Sequence, residues 1–339
     1  MTRVAVFNDT RPTHHFGCML VMENLLRLLN EQGVEVIWTW PVSVDWRRHK
    51  RQIFKMPEVD AIIINGEGTI HHNHSRRFSQ ALIDMVDFAA DTLKKPCYLL
   101  NATLHKNSAA AYQSLGRARA IYVRDRGSLK ELQEFGGLTG AYVPDLTFAS
   151  NASHSSHESN TDRTLVVDSA VKEDSRFLEA YANENGFDFR SMVVARPSNA
   201  RFLRSPRPWV KNVIKWLKSD RKLATDAGSY IRYLQGYGMV ITGRYHTVTM
   251  CLKNRIPFVA LESNTPKVRY LLTDVLGEAG RSLTVSAVTS GIPECLESFN
   301  KKELEAIALF TADAEIAIQS MIADICKDIR RGAQGRYEY

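Results

Sequence analysis

The chain has 339 residues, of which 44% are hydrophobic and 24% charged, with a formal net charge of +7. This is more than one small domain holds and suits two α/β domains, and the mixture is that of a globular protein rather than a disordered or fibrous one. Cys18, Cys97, Cys251, Cys295 and Cys326 are scattered and never form a C-x-x-C pair, which argues against a disulfide framework or a structural zinc site.

Met1-Thr2-Arg3 leads straight into a strand-like stretch, and no apolar run approaches the roughly eighteen residues of a membrane span. The expected location is the cytoplasm. Positive charge favours anionic partners, and it gathers at Arg47-Arg48-His49-Lys50-Arg51 and across residues 196–207. No zinc finger, basic zipper or aromatic-glycine RNA motif accompanies it, so nucleic acid is not an expected partner. Anionic small molecules, or peripheral contact with the anionic inner face of a membrane, account for the charge equally well; the oligomeric state is not readable.

Short apolar runs alternate with helical patterns in chain order, as in parallel sheets with crossover helices. Val4–Phe7, Val34–Trp40, Ala61–Ile64, Cys97–Leu100, Ile121–Val123 and Tyr142–Val143 read as strands of a first lobe, residues 1–150. Helices are expected over Cys18–Gln32, Phe78–Leu93 and Ser128–Phe135. Residues 151–163 lie in a polar, serine-rich stretch that reads as a linker or loop. A second lobe, 164–300, restarts at Leu165–Val167 and continues through Asp188–Val194, Met239–Ile241 and Phe258–Leu261. Residues 301–339 read as a long helix packing back toward the first lobe. The fold class is therefore α/β, two Rossmann-like lobes with a cleft between them that receives the loops at the carboxyl ends of the strands.

Those loops hold the candidate chemistry. Asn8-Asp9 follows the first strand, and His14, His15 and Gly17 extend the same loop; Asp9 either caps a turn or handles an acceptor hydroxyl. Asn65-Gly66-Glu67-Gly68 follows the third strand, but a third glycine and an acidic strand end are missing, so no dinucleotide cofactor is expected. His71, His72 and His74 come next; their spacing lacks a helical metal pair, so hydroxyl binding or simple exposure is the better reading. Arg124 stands just past a strand, placed to grip a phosphate or carboxylate. Asp145 caps a turn or lines the cleft.

In the second lobe, Thr242-Gly243 turns into a helix opened by Arg244-Tyr245-His246. Helix amides with an arginine make an anion site, and a histidine two residues on can move a proton. Alternatively, His246 packs into the helix and Arg244 pairs with a carboxylate. Lys267, after Glu262-Ser263-Asn264-Thr265-Pro266, is either a second positive anchor or an exposed lysine of a first helical turn.

Taken together, Asn8-Asp9, His15-x-Gly17-Cys18, Asn65-Gly66-Glu67-Gly68, Val123-Arg124-x-x-x-Ser128, Pro144-Asp145-Leu146, Gly243-Arg244-Tyr245-His246 and Ser263-Asn264-Thr265-Pro266-Lys267 resemble the polysaccharide pyruvyl transferase family. The first loop has Asn-Asp where the family commonly has Gly-Asp. The resemblance implies a fold like the glycosyltransferase B architecture and transfer of a pyruvate ketal group from phosphoenolpyruvate to a sugar, lipid-linked or polymeric, of a cell-surface polysaccharide or its precursor. On that reading Arg124, Gly243, Arg244, Asn264 and Lys267 bind the donor, His246 is the acid, and Asp9 or Glu67 orients or deprotonates the acceptor. Asn8, His15, Gly66, His71, His72 and Asp145 fall on the acceptor side, and neither a metal nor an organic cofactor is called for. The rivals are a nucleotide-sugar glycosyltransferase of the same architecture, whose ribose-binding acid is not evident, and a glycan- or anion-binding protein without catalysis.

Overall fold

The computed structural model describes residues 2–149, 162–194, 226–262 and 265–334, with residues 209–210, 213–214 and 216–217. Residues 151–161 of the expected linker, the basic stretch 196–207 and Asn264 lie outside the described residues. The chain forms two compact units. The first comprises Met1–Pro12, Met22–Ala149 and Leu309–Tyr339, and the second Thr13–Val21 and Ser150–Ala308. Residues 13–21 and 301–308 thus group with the second unit.

The first unit is built on a six-stranded sheet of β1 (Thr2–Asp9), β2 (Val34–Pro41), β3 (Ala61–Glu67), β4 (Cys97–Ala102), β5 (Ala120–Val123) and β6 (Ala141–Tyr142). The order is β2-β1-β3-β4-β5-β6 and every pairing is parallel. Parallel central strands are covered on both faces, which is why β3 and β4 read as unbroken apolar runs and are buried along their whole length. Helices α1 (Phe16–Glu31), α2 (Arg77–Phe88), α3 (Ala109–Leu115) and α4 (Arg126–Glu134) supply the crossovers. Asp125 caps α4 by accepting from the Ser128 amide at 2.7 Å. The helix expected to reach Leu93 is α-helical to Phe88 and widens into a π turn over Ala89–Leu93.

The second unit holds β7 (Thr164–Ser169), β8 (Asp188–Arg190), β9 (Met239–Gly243), β10 (Phe258–Leu261) and β11 (Ser282–Leu283), in the order β11-β10-β9-β7-β8 and all parallel. The strand expected over Asp188–Val194 stops at Arg190; beyond it Val193 bridges back to His15. Helices α5 (Lys172–Asn185), α6 (Ala227–Gln235), α7 (Tyr245–Lys253) and α8 (Lys267–Leu276) complete the unit. Val166, Ile241, Val259, Leu261 and Leu178 pack as its core.

A last helix, α9 (Lys301–Gln334), carries a buried stripe of Ala314, Ile318, Ile322, Ile325 and Ile329 at helical spacing. In the first unit its Asp328 accepts from Arg119, through Nε and Nη2 at 2.8 Å each, and from the Tyr98 hydroxyl at 2.7 Å. Contrary to the reading from sequence, one segment is long and apolar enough to cross a membrane by length and composition: a window within Glu294–Ala333 has mean hydropathy 1.4. A third of that window is buried in the protein.

Most ion pairs of the first unit are exposed and contribute little, on the order of 0–1 kcal/mol each. The pair between Arg124 Nη1 and Asp145 Oδ2 is different: at 2.8 Å its side chains are 1% and 0% exposed. Removing the cation from such a pair costs about 3–5 kcal/mol, because a buried carboxylate remains. Arg124→Ala is therefore expected to lower the stability of the first unit by that amount in denaturant titration, whereas Arg117→Ala, at the exposed pairs with Asp87 and Asp91, leaves it nearly unchanged.

Candidate functional site

In the second sheet β7 is flanked by β8 on one side and β9 on the other, so the strand order reverses there. Loops leaving β7 and β9 diverge at such a point, and open parallel sheets bind ligands in the resulting crevice. Gly243 makes the junction possible: a Cβ there would stand 2.4 Å from the Ser169 Cβ. The next residue, Arg244, reaches across to Asp168 with Nε to Oδ1 at 2.9 Å and Nη2 to Oδ2 at 2.6 Å. Of the two sequence alternatives for Arg244, pairing with a carboxylate is realised. Asp168 also accepts from the Ser191 hydroxyl at 2.8 Å and the Met192 amide at 3.0 Å, so one carboxylate ties the segment after β8 to the start of α7.

His246 lies in the first turn of α7 and is buried. Residues 13–21 pack against it from the same unit. The His14 carbonyl accepts from the Val194 amide at 2.9 Å, the Phe16 amide donates to the Met192 carbonyl at 3.2 Å, and the Phe16 ring stacks on Tyr230 at 4.3 Å. Gly17 presses on the histidine so closely that a Cβ would fall 2.1 Å from the His246 Cβ. The His15 ring meets that of His246 edge to face with centroids 5.5 Å apart. Cys18, in the first turn of α1, joins them: one ligand-type atom from each of His15, Cys18 and His246 lies within 4.8 Å of the other two.

This neighbourhood is electropositive. Burial pushes the His15 titration well below its ordinary 6.5, and the charges of His246, Arg244 and Lys267 push it the same way. His15 is thereby held neutral at pH 7, with its Nδ1 accepting from the Cys18 amide at 3.3 Å. Lys267, the first residue of α8, is half-buried and near enough to act on His15. The structure thus brings together His15, Gly243, Arg244, His246 and Lys267 from the sequence candidates. It places His15 with the expected donor residues rather than with the acceptor group.

The first unit gathers a separate set of candidates where its own strand order reverses, between β1 and β3. Asn8 Nδ2 donates to the Asn65 carbonyl at 2.7 Å, and Glu67 accepts from the Thr10 hydroxyl at 2.6 Å and Asn65 Nδ2 at 3.0 Å. Asp9 is held by Arg11, with Nε to Oδ1 at 2.9 Å and Nη2 to Oδ2 at 2.5 Å. Burial alone would raise the Asp9 carboxyl, but the hydrogen bonds and charge of Arg11 prevail and keep it below its ordinary 3.8. Asn8, Glu67 and Asn101, near the ends of three adjacent strands, have φ of 67°, 39° and 57°. Such left-handed residues cost on the order of 1–3 kcal/mol each and concentrate at working sites.

Three expectations for this unit are corrected. Arg124 does not present itself to a donor: its Nε donates to the Thr103 hydroxyl and its Nη1 to Asp145, both at 2.8 Å, below the surface. Asp145 is consumed by the same pair and by the Thr147 amide and hydroxyl, and is fully buried, so it does not line a binding surface. Gly66 is a packing glycine, since a Cβ there would lie 2.5 Å from the Ala102 Cβ. His71 and His72 join their Nδ1 atoms at 2.9 Å, and the His72 ring lies 5.3 Å from that of His105. Burial, then the charges of His105 and Lys106, lowers the His72 titration.

Sequence reading missed Asp168, although it directly follows the apolar Leu165-Val166-Val167, the signal that singled out Arg124. It also missed Arg11 and Thr10, whose roles depend on side-chain reach. Parallel α/β units with charged side chains collected where the strand order reverses define an open α/β protein of the kind that binds its ligands at strand ends. A model of the polysaccharide pyruvyl transferase family matches residues 15–265, and the chain belongs to that family; it is a transferase of polysaccharide biosynthesis. No curated protein matches it. Among solved structures it is similar to a putative UDP-N-acetylglucosamine 2-epimerase from Listeria monocytogenes, with a TM-score of 0.51 at 11% identity over 99% of this chain and 96% of that one. An uncharacterized protein from Klebsiella pneumoniae gives 0.48 at 9% identity over 84% and 92%. The likeness to the epimerase, a glycosyltransferase B-like fold, concerns the fold alone.

A titration test follows from His15. Its folded-state value lies below the unfolded one, so folding excludes a proton the unfolded chain binds. The associated stability is complete above about pH 6.5 and declines as pH falls below it. In labelled-histidine NMR the His15 ring is expected to remain neutral at pH 6, and His15→Gln should flatten the acid side of the stability profile; a His15 ring that is half protonated near pH 6.5 would contradict this environment.

Proposed function

We propose that the chain transfers a pyruvate ketal group from phosphoenolpyruvate to two hydroxyls of a sugar in a cell-surface polysaccharide or its precursor. The observation that carries this reading is a buried histidine, His246, packed on His15, whose ring also feels the charges of Arg244 and Lys267, where the strand order of the second sheet reverses. Phosphoenolpyruvate bears a phosphate and a carboxylate. The start of α7 offers amide dipoles, and Arg244 and Lys267 offer charge, in a partly dry setting where both act strongly. Asp168 fixes the Arg244 fork in advance, so little reorganisation is needed when the anion arrives.

The chemistry balances as follows. One sugar hydroxyl oxygen attacks C2 of the donor while a proton is added to C3, turning the methylene into a methyl group. Attack by the second hydroxyl displaces phosphate. Two C–O bonds form, the C–O bond to phosphate breaks, and of the two hydroxyl protons one balances the proton gained at C3 and the other leaves with phosphate. His246 is assigned the proton delivery to C3. Neutral His15 donates from its ring to the anion or the departing oxygen. Asp9, held ionised below the ordinary carboxylate range, is a weak base at neutral pH and is assigned to orienting the acceptor rather than deprotonating it. Glu67 accepts from the Thr10 hydroxyl and Asn65 Nδ2 and is assigned as a positioning residue.

Phosphate release from phosphoenolpyruvate in the presence of glycan acceptors tests the reading. His246→Ala is expected to lower kcat by about 10²–10⁴, and Lys267→Met to raise KM for the donor with a smaller effect on kcat. Gly17→Ala, which drives a methyl group into His246, should lose turnover. Unchanged turnover in His246→Ala would remove the assignment of the site. A thermal-shift response to nucleotide sugars but none to phosphoenolpyruvate would replace the donor.

A further inference from the structure

We infer that His15, Cys18 and His246 form a binding site for a borderline-soft transition-metal cation, with Zn2+ as the reference ion. The cluster is assembled from two segments far apart in sequence: His15 and Cys18 from the start of α1, and His246 from the first turn of α7. One imidazole nitrogen or thiol sulfur from each lies within 4.8 Å of the others. In a tetrahedral site with Zn–N of about 2.0–2.1 Å and Zn–S of about 2.3 Å, neighbouring ligand atoms stand about 3.4–3.6 Å apart. Closing the cluster to that geometry therefore takes side-chain adjustments of roughly an ångström, and no new backbone path.

The donor set is selective. Imidazoles with a thiolate favour Zn2+ and its neighbours over Mg2+ or Ca2+, which prefer oxygen, and three protein ligands leave a fourth position open to water or a small anion. The thiolate would sit in the first turn of α1, where helix amides stabilise negative charge. His15 meets the metal through Nδ1, where a cation replaces the long 3.3 Å hydrogen bond from the Cys18 amide. Of the nearby cations, Arg244 is matched by Asp168, and the charge of Lys267 is offset by the thiolate. The close seat of Gly17 on His246 brings the ligands within reach of one another, which a larger residue would prevent.

A metal here would occupy His246 and so compete with donor turnover. That consequence rests on the proposed function, whereas the site itself does not. The test uses the full chain stripped with chelator and titrated with Co2+ as a spectroscopic stand-in for Zn2+, without phosphoenolpyruvate. One equivalent is expected to produce tetrahedral visible bands and a thiolate-to-cobalt charge-transfer band, both bleached by Zn2+. Cys18→Ser should abolish the charge-transfer band, while Cys295→Ser, at an exposed cysteine, leaves it intact. His15→Ala should weaken binding by more than the roughly 10–100-fold typical of losing a mere supporting partner. X-ray absorption of the zinc-loaded wild type, which depends on no variant, should give nitrogen neighbours at about 2.0–2.1 Å and one sulfur at about 2.3 Å. Absence of a charge-transfer band, its survival in Cys18→Ser, or a zinc shell without sulfur would each overturn the site. Loss of the donor reading with the cobalt spectrum intact would leave it standing.

Discussion

The bidentate pair between Arg244 and Asp168 is the interaction around which the second unit's site is organised. It joins the ends of two adjacent parallel strands whose chains wind away in different directions, and it does so with both side chains largely out of water. Asp168 simultaneously receives Ser191 and the Met192 amide, so the segment beyond β8, which carries Val193 against His15, is set by the same carboxylate. From that single anchor follow the position of His15, the contact of Gly17 with His246, and the electropositive setting that keeps the His15 ring neutral. An arginine held in this way adds no loose charge to the unit.

The first unit uses charge in the opposite manner. Arg124, which by its place after a strand looks like a ligand anchor, is folded inward onto Thr103 and Asp145. A second, buried polar cluster stands at the ends of β1 and β3, where Asn8, Thr10, Asn65 and Glu67 are linked by hydrogen bonds and strained backbone at Asn8 and Glu67 directs them. The bonds that link these side chains hold them in place, although Asn65 Oδ1 is buried without a hydrogen-bond partner among the described residues. That suits groups assigned to orient a sugar rather than to exchange protons.

Much of the fold was legible because buried parallel strands are written as unbroken apolar runs: Val4–Phe7, Ala61–Ile64 and Phe258–Leu261 all fall within strands. The glycine turns at strand ends were legible for the same reason, as interruptions of those runs. What could not be read was partnership across long sequence separations. Arg244 and Asp168 are 76 residues apart, and nothing local says which carboxylate will meet the guanidinium. The grouping of residues 13–21 with the second unit likewise depends on Phe16 stacking on Tyr230 and on backbone bonds to Met192 and Val194. Gly66 looked like a ligand-binding glycine because sequence does not reveal that Ala102 lies against it on the neighbouring strand. Strand β11, Ser282–Leu283, consists of one polar and one apolar residue and so lacks the apolar run that marks β7, β9 and β10 of its sheet.

The central claim is that a doubly anionic three-carbon donor is held by the second unit at the start of α7. The most direct measurement is a crystal structure of the chain soaked in phosphoenolpyruvate. The account predicts density for the donor with its phosphate or carboxylate oxygens in hydrogen-bond contact with Arg244 and Lys267, and its C3 facing the His246 ring. Donor density anywhere else on the chain, or a His246 ring out of contact with the bound molecule, would contradict it.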